Sequence, residues 1–142
     1  MKRFLISLLL ILTFSVASNA QVSICRVNSS AMYNRVNGKW KLASKQNYVT
    51  GAEVYVIYES KKLSSILIKK NGDTKFSFEI LSHMGVPIKN NAQIKAKITS
   101  HRDLPATIKF KYGNGDDITL EVKTKDILMI WHMYSTTDLG YN

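Results

Sequence analysis

Four lysines alternate with apolar residues in two short runs, "QIKAKI" (93–98) and "TIKFKY" (107–112). In extended backbone, successive side chains point to opposite faces. Lys95, Lys97, Lys109 and Lys111 therefore share one face, while Ile94, Ala96, Ile98, Ile108, Phe110 and Tyr112 share the other. If the two runs pair as neighbours, four ammonium groups crowd one side of a ribbon. Such a face attracts anionic ligands, and it also deters foreign chains from adding a strand. Nucleic acid is not the expected partner. Single strands need stacking aromatics beside the cations, and Phe110 and Tyr112 point away from the lysines.

Residues that would carry catalysis are scattered. His83, His101 and His132 lie far apart, with no H-x-x-x-H and no His/Asp pair at ligand spacing. His83-Met84 and His132-Met133 repeat an imidazole–thioether dipeptide that suits copper, but two isolated dipeptides do not make a coordination set. Cys25 is the only cysteine. It has no local base or positive partner to make it a nucleophile, and near a terminus it reads as a small buried apolar residue. Asp116 and Asp117 follow "GNG" and read as turn residues, since neighbours on a strand face opposite ways. There is no G-x-S-x-G, P-loop or dinucleotide fingerprint. The expectation is a non-enzymatic protein with no metal or other cofactor.

The chain opens with Met1-Lys2-Arg3, then the apolar run "FLISLLLILTFSV" (4–16), then "ASNA". A basic start, a short apolar core and small residues at Ser18 and Ala20 form a secretory leader, with cleavage expected after Ala20. Thirteen residues are too few to span a bilayer as a helix, which needs ~20. Lipid attachment at Cys25 would require small residues directly before it, and Ile24 occupies that place. The expected mature chain starts at Gln21, is extracytoplasmic and has no transmembrane segment.

The full chain has 142 residues and a formal charge of +10, which falls to +8 without the leader. Residues 21–142 make one domain's worth of chain. A domain of that size can bury a sizeable core without covalent staples, and one cysteine allows no disulfide within the chain. The positive balance favours anionic lipid, glycan or acidic protein as partners.

Almost every segment has period-two character and β-branched or aromatic residues. "AMYNRV" (31–36) and "KWKLAS" (39–44) flank Asn37-Gly38, a hairpin signal because both residues tolerate positive φ. "AEVYVIYE" (52–59), "SSILIKK" (64–70), "TKFSFEIL" (74–81), "AQIKAKIT" (92–99), "TIKFKY" (107–112), "ITLEVK" (118–123) and "ILMIWHMY" (127–134) follow. The last is apolar on both faces apart from His132, so it reads as the most buried strand. Pro87 and Pro105 fall between strands.

Equal facing predicts specific registers. Ile68 should oppose Phe76 and Ile66 oppose Phe78 across a three-residue loop Asn71-Gly72-Asp73. Ile108, Phe110 and Tyr112 should oppose Val122, Leu120 and Ile118. That register sets Lys109 against Glu121 and leaves Lys95, Lys97 and Lys111 uncompensated.

Gly38-Lys39-Trp40 resembles the G-x-W that opens lipocalin barrels. The resemblance implies an eight-stranded meander around an apolar ligand cavity. The family's second motif, T-D-x-x-Y, should precede a late strand; Thr137-Asp138-Leu139-Gly140-Tyr141 matches its letters but follows the last one.

These readings combine into an all-β, single-domain antiparallel meander of about eight to nine strands, closed as a small barrel or folded as a sandwich. The expected function is binding of an anionic partner, such as envelope glycolipid or acidic glycan, through Lys95, Lys97, Lys109 and Lys111. Two alternatives stand beside it. One is an interaction or inhibitor protein acting through the loop 82–91. The other is a lipocalin-like carrier of a small apolar ligand.

Overall fold

The computed structural model describes residues 20–82 and 88–136. They form nine strands: β1 (Ala20–Val36), β2 (Lys39–Gln46), β3 (Ala52–Glu59), β4 (Lys62–Lys70), β5 (Asp73–Ile80), β6 (Ile94–Ile98), β7 (Leu104–Tyr112), β8 (Asp117–Lys123) and β9 (Ile127–Ser135). A 3-10 turn at Thr99–His101 precedes β7. All pairings are antiparallel, and β3 to β8 each pair with the next strand in sequence. β1 closes the ring. Its first part pairs with β3, from Ala20 opposite Glu59 to Arg26 opposite Glu53. Its later part pairs with β9, from Cys25 opposite Ser135 to Asn34 opposite Ile127. The result is an eight-stranded closed barrel, with β2 as one additional strand that, among the described residues, is bonded only to β1.

β1 starts well before the segment that its sequence advertises. Between Val22 and Val27 the interior positions are Ser23, Cys25 and Val27, all buried, while Val22 is 45% exposed. With a serine inside and a valine outside, the alternation does not read as a half-buried strand. Pro105 is also placed differently from expectation. It is the second residue of β7, opposite Lys97, near a strand end where a missing ladder donor is tolerated. Pro87 lies outside the described residues.

The interior is filled by alternate residues of every barrel strand, as expected for an eight-stranded closure. Val54, Val56, Ile66, Phe78, Ile94, Ile108, Phe110, Leu120 and Val122 are essentially solvent-free. Near one mouth, Phe76 stacks on His101 (5.1 Å between ring centres) and meets Trp131 edge-on at 5.8 Å. β9 buries Met129, Trp131 and Met133. Its other face is not covered: Leu128 and Ile130 are half-buried and His132 is exposed. The expectation of a strand buried on both faces is therefore corrected. β9 is one wall of a single-layer barrel, and its outer residues are shielded only by lateral neighbours.

The predicted registers recur with one amendment. Ile68 opposes Phe76 and Ile66 opposes Phe78. The loop between them is two residues, not three. Asn71 (φ 53) and Gly72 (φ 84) make the turn, Lys70 opposes Asp73, and a bulge at Lys75 absorbs the odd residue. The β7–β8 register matches in full, with Lys109 opposite Glu121.

Candidate functional site

The outer face of β6, β7 and β8 carries the strongest charge pattern. Inward positions hold Ala96, Ala106, Ile108, Phe110, Leu120 and Val122, all buried. The pleat therefore turns Lys95, Lys97, Lys109, Lys111, Glu121 and Lys123 outward. A lipid-facing barrel has the opposite pattern, an apolar band outside. Among the described residues, no helix is long and apolar enough to cross a membrane.

The four predicted lysines do share this face, but not as a directly opposed set. β6 begins at Ile94, opposite Ile108, so Lys95 opposes Thr107 and Lys97 opposes Pro105. Lys109 and Lys111 lie further along β7, where β8 is their partner. No lysine faces another across a ladder, which removes the direct like-charge penalty that opposed lysines would carry.

The set then divides by ion pairing. Lys97 reaches Glu79 at 3.0 Å and Asp103 at 4.0 Å. These acceptors, chiefly Glu79 through the hydrogen bond that Lys97 donates to it, hold its ammonium above the usual lysine range. Lys111 donates to Glu121 at 2.6 Å. The pairing expected between Lys109 and Glu121 is thus corrected. They are cross-strand neighbours, but Glu121 takes its proton donor from the diagonal Lys111. Among the described residues, no ion pair involves Lys95 or Lys109.

Those two unpaired lysines border an open groove of about 480 Å³. Lys123 at the end of β8 and Lys125 in the β8–β9 turn border it too, with Leu81, Pro105 and Thr107 among its apolar and neutral walls. Lys95, Thr107 and Lys123 form one cross-strand row. Strand spacing puts the backbones of Lys95 and Lys123 roughly 10 Å apart, and Lys109 is the diagonal neighbour of Lys95. Four ammonium groups against Glu121, already engaged by Lys111, leave the groove strongly positive. Lys123 was legible as an outward residue from its alternation with Val122. Lys125 gave no signal, because only the tight β8–β9 turn brings it alongside. That turn is fixed by Thr124, whose N–H donates to the Ile127 carbonyl at 2.8 Å and whose hydroxyl accepts from the Ile127 N–H at 3.0 Å.

The residues considered for catalysis are dispersed. His132 is exposed on β9, 3.1 Å from the Thr119 hydroxyl. His101 stacks on Phe76. Cys25 is fully buried inside the barrel, and burial pushes its thiol up to about 11. Among the described residues, no three His, Cys, Asp or Glu side chains gather to hold a metal. His83 lies outside the described residues, as do residues 83–87 of the loop 82–91.

No family model matches the chain, and neither does a curated protein or a solved structure. Function is therefore argued from the chain's own chemistry. The eight-stranded closure agrees with what the G-x-W resemblance implies for the barrel. The motif itself does not lead into it: Gly38 completes the β1–β2 turn, and Trp40 lies on the additional strand. Trp40 there meets the Arg35 guanidinium at 5.8 Å and the Lys123 ammonium at 5.9 Å. The T-D-x-x-Y segment falls outside the described residues.

Proposed function

We propose that the protein is an extracytoplasmic binding module, not a catalyst, and that it holds an anionic ligand on the outer face of β6–β8. The ligand class is a glycolipid head group or an acidic glycan. One observation carries the reading: Lys95, Lys109, Lys123 and Lys125 converge on a single groove, while the nearby acids are engaged by other lysines. Each lysine near an anionic lipid surface contributes about 1 kcal/mol, so three give roughly a hundredfold preference over a neutral surface. The original set of four is thereby refined: Lys95 and Lys109 are the binding members, and Lys97 and Lys111 are neutralised neighbours.

Export by cleavage after Ala20 is part of the same proposal. It is supported by the place of Cys25, whose side chain is sealed in the core. Lipid attachment there would remove residues that pair with β3 and pull a core side chain into a bilayer. An intact mass beginning at Gln21 is the expected result for the exported protein; a diacylglyceryl adduct starting at Cys25 would overturn it.

Binding is tested by titrating the protein with anionic vesicles and with sulfated or carboxylated glycans across ionic strength. Affinity should fall steeply with salt, because the contacts are exposed charges screened within about 8 Å at physiological ionic strength. Salt-independent binding, or equal binding to neutral vesicles, would reject the reading.

A further inference from the structure

Among the described residues, β2 is held to the molecule along one edge only, and its other edge leaves a row of backbone donors and acceptors without a strand partner. Exposed edges of this kind are templates for strand addition. The β1–β2 hairpin also runs past the barrel wall. Asn34 is the last residue of β1 opposite β9, and beyond it only the Arg35 N–H reaches across, to the Asp126 carbonyl at 2.8 Å. The hairpin is nonetheless fixed in place. Asn37 (φ 51) and Gly38 (φ 75) form a two-residue turn, and Trp40 packs between Arg35 and the barrel's Lys123.

The two faces of β2 differ in chemistry. Lys39 and Lys41 share a face with Val36 and Asn34, their cross-strand partners. Trp40 and Leu42 share the other with Arg35 and Tyr33. A bulge at Ala43 then moves Lys45 onto the Trp40 face. Leu42 is 56% exposed. A second copy of this chain does not suit that edge. Two antiparallel β2 strands would set the lysines of one copy beside those of the other, and like charges on paired strands repel. An acidic strand does suit it.

We propose that β2 captures an extended acidic peptide segment of a partner protein by strand addition, in which acidic residues alternate with apolar ones. The acids meet Lys39 and Lys41 on one face. The apolar residues meet Trp40 and Leu42 on the other, with Lys45 accepting one further acid. Main-chain hydrogen bonds supply affinity and the alternation supplies register. This inference does not rest on the β6–β8 groove, although Lys123 borders that groove and also meets Trp40.

The probe is a synthetic ten-residue peptide of alternating glutamate and valine, compared with the same composition in blocks. Expected results are amide-exchange protection confined to β2 and a blue shift of Trp40 fluorescence. The K39E/K41E variant should bind the alternating glutamate peptide at least ~10-fold more weakly and gain binding to an alternating lysine–valine peptide. These substitutions are on exposed side chains, so a folded barrel is expected, checked by unchanged Trp131 emission. Equal affinity for the blocked peptide, protection outside β2, or no charge reversal in K39E/K41E would each overturn the proposal. Concentration-dependent dimerisation through β2 would overturn it in favour of a second copy.

Discussion

Two hairpins in this protein are built on the same local instructions and end in opposite environments. Both β1–β2 and β4–β5 turn on Asn-Gly, at Asn37-Gly38 and Asn71-Gly72, with positive φ at both residues of each turn. Both carry one bulge in the second strand, at Ala43 and at Lys75. Yet β4–β5 is a wall of the barrel, whereas β2 stands outside it with seven of eight residues exposed. The difference lies in the alternate positions. β4 and β5 offer Leu63, Ile66, Ile68, Phe76 and Phe78 to one face; β2 offers Lys39 and Lys41 to one and only Trp40 and Leu42 to the other. Turn chemistry fixes that a hairpin forms. The apolar set on one face decides whether the barrel encloses it.

The largest effect that separates the two hairpins is a core truncation. Phe78→Ala should cost about 3–5 kcal/mol in urea unfolding, because a fully buried ring leaves a cavity. Leu42→Ala should stay within about 0.5 kcal/mol, as expected for an exposed site. Comparable losses at both would mean that β2 is part of the cooperative core.

A pH titration sharpens the contrast between interior and hairpin. Burial raises the Cys25 thiol from 9 to about 11. The fold favours its protonated form, so the associated stability is present below about pH 9 and lost as pH rises toward 11. That loss is on the order of 3 kcal/mol. Tyr58 and Tyr112 are shifted upward by burial as well, extending the loss to higher pH. Cys25→Ala should flatten the first part of the alkaline profile, while substitutions in β2 should leave it unchanged.

Glycine replacements probe the shared turn. Gly38→Ala and Gly72→Ala each place a side chain at positive φ with open space around it, so each costs about 1 kcal/mol locally. Global unfolding should register Gly72→Ala. Gly38→Ala should appear mainly as faster amide exchange in β2, since that hairpin can open without the barrel.

The smallest expected change is a gain. The Tyr58 hydroxyl is buried with no hydrogen-bond partner among the described residues. Tyr58→Phe should leave stability equal or raise it by up to about 1 kcal/mol, read from the urea midpoint.

Much of this architecture was legible in alternation and turn residues. The β7–β8 register followed from matching Ile108, Phe110 and Tyr112 to Val122, Leu120 and Ile118. The first half of β1 was not legible, because Ser23 faces in and Val22 faces out. The choice of barrel over sandwich was hidden with it, since those residues make the β1–β3 seam. For the groove, facing was readable at each lysine, but ion pairing was not. Whether Glu121 takes Lys109 or Lys111 depends on side-chain reach along a twisted sheet. Lys125 belongs to the groove only through the tertiary path of a turn.

The central claim is that unpaired lysines bind and paired lysines do not. Two variants test it: K95Q/K109Q/K125Q around the groove and K97Q/K111Q on the same sheet face, compared by flotation with anionic vesicles at low salt. The first should lose most of its vesicle binding, roughly a hundredfold, while the second stays within about threefold of the parent protein. Equal losses in the two variants, or no loss in the first, would contradict the account.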